Sequence, residues 1–430
     1  MSKTALIINP WVTDFKLYDE WMHPLGLYIL IDQLQKSGYI THYFNCVQRS
    51  ESKHKKHNTG AFQCTEIEKP DIFRQIKRRY KRYGVSDEKL KEFLLKTPSP
   101  DLICVGSMMT YWLPGVSETI ECIRSVHPKT PLIAGGIGAK LFGHYLRKHH
   151  PDCTIYGNDN FEDHLSSLFK PVKPEEISLI PGLSQLKTAF HAPVLTTLGC
   201  PMSCSYCASS LLQPHYYKRD ISQVIEEIAF MRERHDVKNF SFYDDALLMD
   251  GYNTLYPIYK ALEKGISEVR FHTPNGLHAR FIDQNTAALM HRMNFQTIRI
   301  GYESGNVKHR KQIANKISKD LIAQKIEILQ TAGFKKQQIG VYIMGGLESQ
   351  VPEDFIKEVE FISGLNVMVK PVFISPVPGT SLFDKYANIY PQLLSDPNWH
   401  NDVFFITNLP GWTESVLREL ELRVRYLNQK

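Results

Sequence analysis

Three cysteines stand within eight positions, in the run Cys200-Pro201-Met202-Ser203-Cys204-Ser205-Tyr206-Cys207. Thiolates are soft ligands for zinc and for iron–sulfur clusters. Three of them in one tight loop can bind three irons of a four-iron cube, which leaves the fourth iron open to a substrate. Zinc is the alternative, because His191 and His215 stand near enough in the chain to complete a Cys3His set. The remaining cysteines are scattered. Cys104 lies in the apolar run Leu102-Ile103-Cys104-Val105 and reads as a small core residue. Cys46 and Cys64 match no ligand spacing. Asp244 and Asp245 follow the apolar segment Phe240-Ser241-Phe242-Tyr243. Adjacent carboxylates at the end of a buried strand are costly unless they bind something or cap the next helix.

The elements that must position these residues repeat. Strands begin near residues 194, 239, 268, 297, 338 and 369. Helical patterns lie between them, at roughly 221–234, 255–263, 284–293, 319–330 and 352–363. Such spacing suits the units of a β/α barrel, and six units in place of eight predict a partial barrel open on one side. The cysteine run follows the first of these strands, 194–198, through Gly199. Strand carboxyl ends are where barrel enzymes place their chemistry.

An earlier region alternates strands at 5–9, 40–45, 101–106, 131–134 and 154–156 with helices at 25–36, 116–126, 140–148 and 161–169. That alternation predicts a doubly wound parallel sheet of Rossmann-like type, with its ligand beyond the carboxyl ends of the strands. Ser107, the apolar segment Met108-Met109-Thr110-Tyr111-Trp112, and Gly135-Gly136 fall on that rim. The glycine pair allows a bulky ligand to approach the backbone, and a tight βα turn would equally require it. The expected division is 1–170 for this α/β domain, 171–190 for a proline-bearing linker, 191–385 for the barrel and 386–430 for a C-terminal extension with a helix at 414–427.

In 430 residues, 43% are hydrophobic and 22% charged, which excludes a disordered, collagenous or disulfide-scaffold chain. No run reaches the roughly 18 apolar residues of a membrane helix, and no signal peptide is evident, so a cytoplasmic protein is expected. The net charge of +6 is equalled by residues 51–98 alone, with 13 Lys and Arg against 7 Asp and Glu. That stretch reads as a solvated helical insertion or as a docking face for an anionic partner. Arg74, Lys77, Arg78, Arg79, Lys81 and Arg82, interleaved with Tyr80 and Tyr83, suit phosphate tracking. No added RNA-binding domain accompanies them, and nucleic acid is not expected.

The three-cysteine spacing, the aromatic Tyr206 before the last cysteine and the place of the run after the first barrel strand resemble the radical S-adenosylmethionine (SAM) superfamily. The resemblance implies that Cys200, Cys204 and Cys207 ligate a 4Fe-4S cluster whose open iron chelates SAM. An electron supplied by an external donor such as flavodoxin or ferredoxin would then cleave SAM to methionine and a 5′-deoxyadenosyl radical. Asp244 and Asp245 stand where many relatives carry Gly-Gly-Glu, which holds the methionine amine. Glu303 and Ser304, in Gly301-Tyr302-Glu303-Ser304-Gly305, look like the ribose and carboxylate contact. Gly345, in Ile343-Met344-Gly345-Gly346-Leu347-Glu348, looks like part of the adenine contact. Asn275-Gly276-Leu277 and Pro376-Val377-Pro378-Gly379-Thr380 resemble loops of relatives with an N-terminal cobalamin-type domain. The first region is similar to that domain, which places Ser107, Gly135 and Gly136 against the corrin and its nucleotide tail. The Asp-x-His-x-x-Gly motif that supplies a cobalt-ligating histidine elsewhere is absent. The resemblance therefore implies a small-molecule substrate methylated at an unactivated carbon. Cyclisation, rearrangement or oxidation without cobalamin is the alternative enzymatic reading, and an iron–sulfur carrier or zinc-binding module the non-enzymatic one.

Overall fold

The computed structural model describes residues 3–50, 55–97, 99–157, 173–313 and 317–430. The helix expected at 161–169 lies outside them. The chain forms two compact units.

The first unit is built on five parallel strands: β1 (Lys3–Asn9), β2 (Tyr39–Asn45), β3 (Leu102–Val105), β4 (Leu132–Ala134) and β5 (Thr154–Ile155). Their order across the sheet is β5-β4-β3-β1-β2. Ala5 pairs with Thr41 on one side and Leu102 on the other. Side chains alternate between two buried faces. Leu6, Ile8, Ile103 and Val105 join one core, and Ala5, Ile7, Leu102 and Cys104 the other. Burial on both faces is why these strands read as unbroken apolar runs. Helix α1 (Leu25–Lys36) covers the second core with Leu27, Ile31 and Leu34. Helices α2 (Leu113–Val126) and α3 (Ile137–His149) cover the first. The strand order reverses between β1 and β3, which makes their carboxyl ends the switch point where such sheets take ligands.

Three sequence expectations change here. The basic stretch is not a helical insertion. Its segments Lys81–Tyr83 and Cys64–Glu66 pair antiparallel with each other, Lys81–Tyr83 also pairs with Val12–Asp14, and among its described residues only Asp87–Lys96 is an α-helix. Phe73, Ile76, Tyr80 and Tyr83 are buried, with Phe73 and Tyr80 packed on Phe15. Spending these apolar side chains on a core removes both tyrosines from any base-stacking role. The expected linker is docked on the first unit, because Gly182 lies against Tyr28 of α1, where a Cβ would come within 2.4 Å of that side chain. The expected C-terminal extension is divided. Asp384–Asn401 belongs to the first unit and Asp402–Lys430 to the second.

The first-unit part of that extension reaches the carboxyl rim of the sheet. His400 is fully buried there, with Nδ1 2.9 Å from Thr110 Oγ1 and Nε2 2.9 Å from the Leu393 carbonyl. Asn401 donates to the buried Asp14 carboxylate, which also accepts from Trp112 Nε1 at 2.8 Å. Burial holds the His400 imidazole down at about 4. The folded state thus keeps His400 neutral, so its contribution to stability is present above about pH 6.5 and lost as pH falls toward 4. Acid should cost the wild type up to about 3 kcal/mol through this group. His400→Gln, which retains a donor and an acceptor, should flatten that part of the stability–pH curve in urea titrations.

Among the described residues the second unit has a seven-stranded sheet, six of whose strands lie in chain order across it: β6 (Ala192–Val194), β7 (Asn239–Phe242), β8 (Arg270–His272), β9 (Phe295–Glu303), β10 (Ile339–Gly345) and β11 (Met368–Phe373); the short Leu277–His278 pairs parallel with β9 off that path. Helices α4 (Ile221–His235), α5 (Gly251–Leu262), α6 (Gln284–Arg292), α7 (Lys319–Thr331) and α8 (Pro352–Gly364) alternate with them. Three of these helices start on side-chain caps, with Asp220, Asp283 and Ser318 accepting from backbone amides. Phe240, Phe242, Phe271 and Phe295 form an aromatic cluster across β7, β8 and β9. Strand β11 ends the sheet. The terminal helix α9 (Glu414–Gln429) packs against it, and the Asn428 amide bonds both the N–H and the carbonyl of Val369. An edge so covered offers no template for another chain. Among the described residues no helix is long and apolar enough to cross a membrane.

Candidate active site

The cysteine loop hangs from a fixed neck. The strand expected at 194–198 is broken: β6 ends at Val194, and Thr197–Leu198 turns to pair antiparallel with Tyr217–Lys218. The break arises because the Thr196 N–H leaves the parallel ladder for the Asp244 carboxylate, at 3.0 Å. Asp244 also accepts from Thr196 Oγ1 at 2.5 Å and Thr197 Oγ1 at 2.6 Å. Arg219 holds the same neck from the other side, giving its N–H to the Thr196 carbonyl and its Nη1 to the Leu195 carbonyl, both at 2.8 Å. Its guanidinium makes two bonds to the buried Glu227 carboxylate, at 2.6 and 3.0 Å. At Gly199, with φ of +76°, a Cβ would strike the His215 carbonyl at 2.3 Å, so only glycine lets the loop leave this neck.

Beyond the neck Cys200, Cys204 and Cys207 are all half-buried, and none is in a disulfide. The Cys207 N–H bonds the Cys204 carbonyl at 3.1 Å, and Ser209 N–H points at Cys207 Sγ at 3.5 Å. The Leu382 N–H, from the loop after β11, donates to the Ser205 carbonyl at 2.9 Å. Among the described residues no three His, Cys, Asp or Glu side chains converge on a single-ion site. Three separate thiols on one loop suit a cluster that offers each of them its own iron.

Tyr206 turns from this loop to Glu303, its hydroxyl donating to Oε1 at 3.0 Å. Burial and the neighbouring Glu303 charge push the Tyr206 phenol well above its ordinary range, so it keeps the proton it donates. Glu303 ends β9 with φ of +64°, where the pairing with β10 shifts register, and its carboxylate lies over Gly301. A left-handed glutamate costs about 1–3 kcal/mol and persists only where its surroundings hold it. Ser304, fully buried beside it, accepts from the Asn306 N–H.

The other expected site residues make these contacts. Asp244 is buried and committed to the neck, which is neither a helix cap nor an open carboxylate. Burial raises its carboxyl to about 6 against the pull of the threonine bonds. Asp244→Asn would turn an amide donor toward these donors and should cost about 1–3 kcal/mol, read as a lower urea midpoint. Asp245 is exposed at the surface and bonded to Ser209, just past Cys207. Gly345 packs under Phe373 and Trp412, where a Cβ would come within 2.8 Å of the Phe373 ring. In the first unit Ser107 Oγ donates to the Gly135 carbonyl at 2.7 Å and accepts from the Ala139 N–H at 2.8 Å, capping α3. Gly136 has φ of +94°, and a Cβ there would lie 2.3 Å from the Ser107 carbonyl. Gly135 has room for one. Met109 and Ile137 are exposed on this carboxyl edge, an apolar rim of the kind a broad hydrophobic ligand fits. Sequence reasoning missed Arg219 and Glu227, while Asn275, noted there as part of a loop, bonds the Tyr243 carbonyl behind Asp244 with its amide.

Residues 194–362 match the family model of the Radical SAM superfamily. The barrel unit is a radical SAM domain. Two sequence relatives each match over 55% of the chain. An uncharacterised methyltransferase of Pyrococcus horikoshii is 24% identical over 243 residues, 55% of this chain and 50% of that protein. The bacteriochlorophyllide d C-12(1)-methyltransferase of Chlorobaculum tepidum is 27% identical over 263 residues, 55% of this chain and 56% of that protein. The chain thus spans about half the length of the relatives it matches. Two solved structures share the fold across both units. The radical SAM methyltransferase TsrM of Kitasatospora setae, with tryptophan and a SAM analogue, covers 99% of this chain and 89% of its own at 13% identity and a TM-score of 0.65. The cobalamin-dependent SAM radical enzyme OxsB, with aqua-cobalamin and SAM, covers 99% and 61% at 13% identity and a TM-score of 0.60. The radical SAM domain therefore follows an α/β unit here, as it does in those two folds.

Proposed function

We propose that this chain is a cobalamin-dependent radical SAM enzyme that methylates an unactivated carbon of a small molecule. The observation that carries the reading is the three-thiol loop on its fixed neck, joined through Tyr206 to Glu303. The methyltransferase names of both sequence relatives and the apolar carboxyl edge of the first sheet support the corrinoid half. When bound, the cluster supplies the electron that cleaves SAM, and the corrinoid carries the methyl group. Cys200, Cys204 and Cys207 would hold the cluster. Glu303 would accept from the hydroxyls or amine of SAM, with Tyr206 fixing its orientation. Ser304 and Gly345 would border the nucleoside through their backbone, and Ser107, Gly135 and Gly136 would border the corrin. The electron would come from an external donor such as flavodoxin or ferredoxin.

Anaerobic reconstitution followed by chromatography tests this. Equal formation of 5′-deoxyadenosine and S-adenosylhomocysteine with one bound corrinoid is expected. One observation favours a second reading without cobalamin: the Ser107 hydroxyl and Gly136 are already used by the turn they build. Deoxyadenosine alone, with no bound corrinoid, would select it. Zinc in place of iron and sulfide would overturn both.

A further inference from the structure

Behind Glu303, on the helix side of the barrel, stands a second carboxylate. Glu358 on α8 is buried, and its Oε2 accepts from the Tyr302 hydroxyl at 2.7 Å and the Gly305 N–H at 3.3 Å. Those donors flank Glu303 and Ser304 on both sides. Lys319, at the start of α7, reaches Glu358 Oε1 at 3.3 Å while its ammonium lies 4.7 Å from the Phe361 ring centroid. Gly305 admits the arrangement, since a Cβ there would fall 1.9 Å from the Tyr302 hydroxyl. The Ser304 N–H closes the turn on the Tyr302 carbonyl at 2.8 Å.

We propose that Glu358 is a positioning residue that holds Glu303 in its left-handed conformation and so presents the Glu303 carboxylate to SAM. A strained residue relaxes unless its neighbours are fixed. One charged acceptor here fixes both neighbours at once, and hydrogen bonds to charged groups are the stronger ones. A contiguous chain results, from Lys319 through Glu358, Tyr302 and Gly305 to Glu303, Tyr206 and the cluster loop. The inference rests on the reading of Glu303 as a SAM contact.

The test uses the full chain, anaerobically reconstituted, as wild type and as Glu358→Ala, Glu358→Gln and Tyr302→Phe. SAM affinity is read from the change that SAM causes in the electron paramagnetic resonance signal of the reduced cluster, and iron and sulfide are assayed separately. Amide exchange at 303–306 is followed without the cluster. Glu358→Ala and Tyr302→Phe should each weaken SAM binding roughly tenfold at unchanged iron content and speed exchange at 303–306. Glu358→Gln keeps an acceptor for both donors and should recover most of the affinity. Unchanged affinity in Tyr302→Phe, which removes one oxygen and no packing, would overturn the inference even if Glu358→Ala fails to fold. Loss of iron in step with affinity would overturn it as well. A wild type whose cluster signal ignores SAM would remove the reading of Glu303 itself, and this inference with it.

Discussion

Cys204→Ala should leave the reconstituted chain without the visible absorbance of an iron–sulfur cluster, with iron and sulfide at background and neither SAM-derived product formed. Each thiol of the loop would hold its own iron, and two thiolates do not retain a cube. The fold should survive, because Cys204 is half-buried on a loop beyond the neck and contributes little packing. Far-ultraviolet circular dichroism and the thermal midpoint of the unreconstituted variant should therefore match the wild type. A Cys204→Ala protein that still takes up four irons would sink the assignment of all three cysteines.

Arg219→Ala should be among the most destabilising single changes in the barrel, by about 3–5 kcal/mol, because it strands a buried carboxylate. The Arg219 and Glu227 side chains are 0% and 3% exposed, so water does not rescue either partner. The same change removes the donor to the Leu195 carbonyl and loosens the neck that carries the cysteines. Denaturant titration should show the lower midpoint, and iron uptake should fall with it. Arg219→Lys should remain destabilising, since an ammonium cannot make two parallel bonds to one carboxylate. Replacing both partners, as Arg219→Met with Glu227→Leu, should restore much of the stability, because an apolar pair needs no desolvated charge. It should not restore the bond to Leu195. Full iron uptake by that double variant would show that Asp244 and the backbone bond from residue 219 to Thr196 suffice to hold the neck.

Both predictions mark where local pattern ended and three-dimensional arrangement began. The sequence by itself determined the alternation of strands and helices in both units, the six-fold repeat of the barrel and the three-cysteine spacing. Apolar periodicity and ligand spacing are local quantities, written within a few residues of one another. It also placed Glu303 and Ser107 at strand ends. Only the tertiary structure decided what those residues do. The Asp244 carboxylate serves Thr196, 48 positions away, and Glu358 serves Tyr302 across 56 positions. No pattern near Asp244 distinguishes a ligand from a clamp, because its partners come from another strand. The basic stretch misled for the same reason: its charges are visible in the sequence, while the burial of Phe73, Tyr80 and Tyr83 that folds it into ribbons is a property of what packs on them. The C-terminal extension divided between two units because His400 and Asn401 found their partners near the first sheet and Asn428 found its partner on β11. Hydrogen bonds between distant residues require the fold to exist first, and so the sequence alone does not disclose them.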